Sequence, residues 1–147
     1  MSVHELKSTQ FTERLEPIFR HIEAESGIAG RFEPAYFFPH WRKLMDLGIA
    51  RTWEIDGAVL GALFANDTFN GRLMGLVMFW FALPRVRGTG APLELLAEFE
   101  AAAKKAGCKV VSSAAYEGIK PLHTSRIYQN RGYQLTESIF SQVIGDQ

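Results

Sequence analysis

The sequence holds a single cysteine, Cys108, so no intrachain disulfide can staple it, and its thiol content does not point to secretion. It has no excess of charge of one sign: 16 Lys and Arg face 16 Asp and Glu. Nucleic-acid binding draws its affinity from neutralised phosphates, so no nucleic-acid partner is expected of a neutral chain. Long hydrophobic runs are missing too. The longest, Leu73 to Pro84, is interrupted by Gly75 and is too short to span a bilayer as a helix. Residues 1–12 lack the apolar centre of a signal peptide. Four histidines, His4, His21, His40 and His123, show no paired ligand spacing, so no metal is expected. Repeats, low-complexity tracts and linkers are absent. These absences lead to the expectation of a cytoplasmic protein without a membrane partner, folded as one domain over 1–147.

What is present is aromatic bulk, 11 Phe and 3 Trp, set in alternating helical and strand patterns. Val3 to Leu6 carries a weak strand signal. From Phe11 to Glu25, Phe11, Leu15, Ile18, Phe19 and Ile22 recur at helical spacing; Pro17 interrupts the run and fits the first turn of a shorter helix. Gly30 to Phe38 reads as irregular, and Pro39 to Leu47 as a second helix stopped by Gly48. Asp56-Gly57 between Ala50–Ile55 and Ala58–Ala65 signals a tight hairpin, and Asn70-Gly71 a second. Arg72 to Leu83 is apolar on both faces, the mark of a central strand covered by two layers. Pro92 to Ala106 is a helix with Leu95, Phe99, Ala102 and Ala106 on one face and charges that match its dipole. Lys109 to Ala115 reads as a buried strand, Pro121 to Asn130 as a helix, and Tyr133 to Ile144 as one or two final strands. The order is that of a mixed α/β sandwich.

One turn concentrates chemistry. The central strand empties into Pro84-Arg85-Val86-Arg87-Gly88-Thr89-Gly90-Ala91, and a helix follows at once. The first amides of a helix have no internal partner, and the helix dipole adds positive character there. Gly88 and Gly90 let the backbone come close to a ligand. No Asp or Glu occurs between Arg72 and Glu94. A diphosphate suits such a turn, although a plain strand-to-helix connection with two solvated arginines would read the same. A Walker motif is ruled out because Gly-Lys-Ser/Thr is missing, and a dinucleotide fingerprint because Leu93 stands where a third glycine belongs.

Arg85, Gly88 and Gly90 meet an Arg-x-x-Gly-x-Gly/Ala pattern, and in this the sequence resembles the GCN5-related N-acetyltransferases. Ile127-Tyr128-Gln129-Asn130-Arg131-Gly132-Tyr133 is similar to a second signature of that family, and Asp56-Gly57 with Val59 to Gly61 to its second hairpin. The likeness covers roughly Ile49 to Ile144. It implies a central, mostly antiparallel twisted sheet with splayed central strands and about four helices. It also implies an activity: transfer of acetyl from acetyl-coenzyme A to a primary amine by direct attack. In the family the turn cradles the pyrophosphate. That assigns Val86, Arg87, Gly88, Thr89, Gly90 and Ala91, with Arg85, to the cofactor, while the backbone of Phe81 and Leu83 would hold the pantetheine arm.

By the same resemblance Tyr128 lies at the coenzyme and protonates the leaving thiolate; a packed core tyrosine is the competing reading. Many relatives place a carboxylate on the fourth strand, and here Gly75 to Leu83 has no ionisable side chain. Glu117 and His123 are the weak candidates for a base, with Glu54 read as a solvated strand residue and a water chain as an alternative. The polar Asn common before the fourth helix is also missing, with Lys120-Pro121 in that neighbourhood. The acceptor is an amine-bearing small molecule or peptide. The aromatic segment Arg31 to Trp41 could line its pocket, or supply ordinary core and dimer contacts. Homodimers are common among such folds. The missing carboxylate keeps a second class open: a non-catalytic binding protein on the same fold.

Overall fold

Alternating apolar residues in the middle of the chain build a five-stranded sheet, seen in a computed structural model that describes residues 2–23, 27–114 and 121–145. The strands are β1 (His4–Glu5), β2 (Ala50–Ile55), β3 (Ala58–Asn66), β4 (Leu73–Ala82) and β5 (Val110–Ser112), and they lie in sequence order. All neighbours are antiparallel except β4 and β5, which run parallel. Among the described residues, the α-helices with both ends defined are α1 (Glu16–Phe19), α2 (Pro34–Asp46), α3 (Ala91–Ala106) and α4 (Pro121–Asn130). The chain divides into two compact units. The first comprises residues 1–20 and 33–113, and the second 21–32 and 114–147. Among the described residues no helix is long and apolar enough to cross a membrane.

In the first unit the sheet is covered on both faces. Thr52 receives the indole N–H of Trp41 at 2.8 Å on the α2 side, while the next residue, Trp53, meets Phe99 of α3 on the other. Opposite orientation of successive side chains is the strand period at work. On the α2 face the core is aromatic. The Phe79 ring lies within 4.8–6.0 Å of Trp41, Phe19, Phe37 and Phe11, largely edge to face. On the opposite face Leu95, Leu96, Phe99 and Ala103 of α3 are fully buried.

The pairing of β3 with β4 contains an irregularity with consequences. Gly61 pairs with Phe79, but Ala62 pairs with Val77, so Met78 is an extra residue in β4. A one-residue bulge inverts which face the following side chains take. Gly75 accordingly lies against Phe99 on the α3 side, whereas Phe79 joins the aromatic core on the α2 side. Without the bulge, positions four apart would face the same way.

Several expectations need correction. The helical spacing from Phe11 is taken up by a 3-10 turn, Glu13–Leu15, and then the short α1, with Pro17 in its first turn as a shorter helix requires; a further 3-10 turn, Ser8–Gln10, precedes them. Conversely α2 begins at Pro34, inside the stretch read as irregular, because Pro34 fits a first helical turn and Pro39 is accommodated within it. Asn70-Gly71 closes no two-residue hairpin. Asp67 and Arg72 bracket a longer loop, tied by Asp67 N–H to Arg72 O at 2.7 Å and by Asp67 and Asn70 carboxyl and amide oxygens accepting from nearby backbone.

On α3 the buried face includes Leu96 and Ala103; Ala102 is half-buried and Ala106 exposed. β5 is short and open, with Val110 half exposed. In the second unit residues 133–144 form no strand. Leu135, Ile139, Phe140 and Ile144 are exposed there. An alternating pattern is a capacity for pairing; a strand exists only where a neighbour supplies the ladder.

Candidate functional site

The last rung between β4 and β5 joins Leu76 to Ser112. β4 continues six residues further, from Val77 to Ala82. Beyond that rung, among the described residues, β4 is paired in the ladder only on its β3 side, up to the pair Ala58–Ala82. This stretch runs directly into the turn at residues 83–90, which starts α3. Sequence places the turn here because Pro84 ends the ladder and Pro92 is favoured in a first helical turn.

The turn is internally bonded. Val86 and Arg87 N–H both donate to Leu83 O, at 2.9 and 3.2 Å, and Thr89 N–H donates to Val86 O at 3.1 Å. The Thr89 hydroxyl donates to Val86 O at 2.6 Å and accepts a long bond from Ala91 N–H at 3.3 Å. The N–H groups of Gly88, Gly90 and Leu93 have no acceptor among the described residues. Pro92 has no N–H to offer. These three donors cluster where the helix dipole is positive. Gly88 holds φ at 86°, a backbone state that side-chain-bearing residues rarely adopt. A Cβ at Gly88 or Gly90 would meet nothing within 4 Å, so both face open space.

The arginines are already engaged by protein groups. Arg85 lies 3.2 Å from Asp56, both largely exposed. Arg87 Nε donates to Ala82 O at 2.9 Å, closing off the end of β4. Trp80 donates its indole N–H to Pro92 O at 3.0 Å, pinning the first turn of α3 to β4. Sequence reasoning overlooked Trp80; its only signal was a polar-tipped ring within an apolar run.

Of the remaining candidates, Phe81 and Leu83 flank the start of the turn, Phe81 buried and Leu83 donating its N–H to Gly57 O at 2.8 Å. Glu54 is held by Arg14 through two 2.8 Å bonds, and that hydrogen bonding raises the Arg14 pKa above its usual value. It is thus half of a bidentate ion pair rather than a simply solvated strand residue. Glu117 lies outside the described residues.

Tyr128 and His123 belong to the second unit. Tyr128 is 7% exposed, donates its hydroxyl to Ala114 O at 3.2 Å and packs against Tyr133 with ring centroids 5.1 Å apart. His123 is exposed on α4. Cys108 is half-buried, and burial pushes its thiol pKa up, partly offset by nearby Arg51.

No protein-family model and no curated protein matches the sequence. Solved structures do match the fold along almost the whole chain. A predicted acetyltransferase from Clostridium acetobutylicum, solved with acetyl-coenzyme A, superposes with a TM-score of 0.74 at 15% identity, covering 97% of this chain and 95% of that one. An aminoglycoside acetyltransferase from an uncultured soil sample, solved with sisomicin, gives 0.71 at 11% identity over 97% and 96%. A transcriptional regulator from Bacillus halodurans gives 0.76 at 12% identity over 97% and 99%. The fold is that of the GCN5-related N-acetyltransferases.

Proposed function

We propose that this chain is an N-acetyltransferase that moves an acetyl group from acetyl-coenzyme A to a primary amine. The observation that carries the reading is the end of β4. Its ladder with β5 stops at Leu76 among the described residues, and the strand runs on into a turn and helix start whose free donors include the Gly88, Gly90 and Leu93 N–H groups. A pyrophosphate needs closely spaced donors and no competing carboxylate, and the turn meets both needs. Asp56, the acidic side chain beside it, is neutralised by Arg85. On this reading Arg85 and Arg87 hold the turn, and the amides hold the phosphates. The pantetheine arm lies along β4 beyond the ladder, near Phe81; Leu83 shapes its end but has both backbone groups bonded already, N–H to Gly57 O and O to Val86 and Arg87 N–H.

In the reaction the amine nitrogen attacks the thioester carbonyl, the C–S bond breaks, and the thiolate leaves with a proton. Positioning of the two reactants supplies most of the acceleration. Tyr128 donates the proton to sulfur, leaving its bond with Ala114 O to do so. The attacking amine loses its own proton to water or to one of the two base candidates, Glu117 and His123; β4 carries no ionisable side chain and Glu54 is bound to Arg14. If His123 takes that proton, His123→Ala should lower kcat while the coenzyme KM holds. If water takes it, His123→Ala leaves kcat unchanged.

The deciding experiment is a coenzyme A titration followed by a free-thiol assay on a panel of amines, among them aminoglycosides and peptide N-termini. Binding with acetyl-dependent thiol release is expected. Absence of binding removes the reading. Binding without turnover on any amine favours a second reading, a coenzyme-binding protein without catalysis, which the carboxylate-free β4 and the fold shared with a transcriptional regulator support.

A further inference from the structure

The tip of the β2–β3 hairpin, Asp56-Gly57, braces the back of the glycine turn through three contacts. Leu83 N–H donates to Gly57 O at 2.8 Å. Arg85 faces Asp56 at 3.2 Å. Gly57, at φ 81°, packs so closely on the turn that a Cβ there would stand 2.5 Å from Cγ2 of Val86, a side chain only 5% exposed. The same Leu83 offers its carbonyl to Val86 and Arg87 N–H. A continuous path of bonds and packing therefore runs from the hairpin tip into the turn.

We infer that Asp56-Gly57 is a positioning element for the phosphate-binding turn, setting the direction of the Gly88, Gly90 and Leu93 amides through Leu83 and Val86. The inference rests on the coenzyme A reading for its ligand. A strand-to-helix turn free to wander would have to be ordered when the anion binds, and that entropy would be subtracted from affinity. A turn already clamped at its back loses nothing of the kind. The position requires glycine twice over. The positive φ disfavours any side chain, and the space a Cβ would need is filled by Val86. Asp56 does not serve the ligand directly; its charge is spent on Arg85.

The test combines coenzyme A calorimetry with hydrogen exchange across residues 83–93, which needs no ligand. Gly57→Ala should raise the dissociation constant by about tenfold or more, as expected when a preorganised site must be ordered on binding. It should also speed exchange of the turn amides. Val86→Ala in the same chain removes the methyl group that the new Cβ strikes but not the strain of the positive φ, so it should recover part of the lost affinity and slow the turn's exchange again without restoring either fully. A lower melting temperature with unchanged affinity and exchange in Gly57→Ala would overturn the inference. If Gly57→Ala does not fold, Asp56→Asn leaves the backbone intact and must still speed exchange at 85–90; unchanged exchange there overturns it equally. Should the wild type bind no coenzyme A, the ligand reading falls while the exchange data still decide whether the tip positions the turn.

Discussion

At the scale of single residues the sharpest test is Gly90. Its φ is −74°, ordinary for any residue, and a Cβ would enter open space. Gly90→Leu should therefore fold, at a cost of about 1 kcal/mol for a poorer helix cap. The added side chain occupies the space an anion would need at the Gly88, Gly90 and Leu93 amides, so coenzyme A affinity should fall by about a hundredfold, the scale on which a blocked contact surface loses several kcal/mol. Calorimetry beside thermal melting separates the two effects; equal affinity would move the ligand elsewhere. Tyr128 allows a complementary test. Tyr128→Phe removes the bond to Ala114 O, which should cost about 1 kcal/mol of stability. If the hydroxyl also protonates the thiolate, kcat falls by about ten- to a hundredfold or more while the coenzyme KM holds, as for loss of a general acid. Unchanged kcat would leave Tyr128 as packing alone.

At the scale of elements, the sequence disclosed most where a pattern was local and self-sufficient. The Asp56-Gly57 hairpin, the long apolar β4 and the helix between Ala91 and Gly107 follow from turn chemistry, period and capping. The features that shape the candidate site were less legible. The extra residue Met78 arises from registration against β3, and nothing in Leu73–Ala82 itself marks it. The early end of the β4–β5 ladder depends on how far Val110–Ser112 extends, again a property of the pair. Arg85 and Arg87 were visible as charges at the glycine turn, but their partners, Asp56 and Ala82 O, lie in other parts of the sheet. Residues 133–144 show the converse error, a strand pattern with no ladder beside it. Phe99 is where element packing can be probed. It is fully buried between α3 and the sheet, touching Trp53 and Phe64, so Phe99→Ala should cost about 3–5 kcal/mol in a denaturant titration. A loss below about 1 kcal/mol would mean α3 is not anchored there.

At the scale of the whole molecule, the net formal charge is zero, so no long-range field draws a polyanion to this chain. On the coenzyme A reading, attraction has to come from the turn itself: the Gly88, Gly90 and Leu93 amides, beside an Asp56 already paired with Arg85. Binding of this kind acts on stability through mass action alone. At a hundredfold its dissociation constant the ligand should stabilise the fold that carries the turn by about 2.7 kcal/mol. For a chain of this length that corresponds to a rise in melting temperature of about 5–10 °C. The rise should persist in Tyr128→Phe, because protonating a leaving group contributes nothing to ground-state binding, and should vanish in Gly90→Leu. That pair of outcomes tests whether the coenzyme binds at the turn before any acceptor is known, and thiol release then separates an enzyme from a binding protein. A shift that survived Gly90→Leu would place the coenzyme on some other surface, and the amides at the end of β4 would then have to be explained as an ordinary helix start.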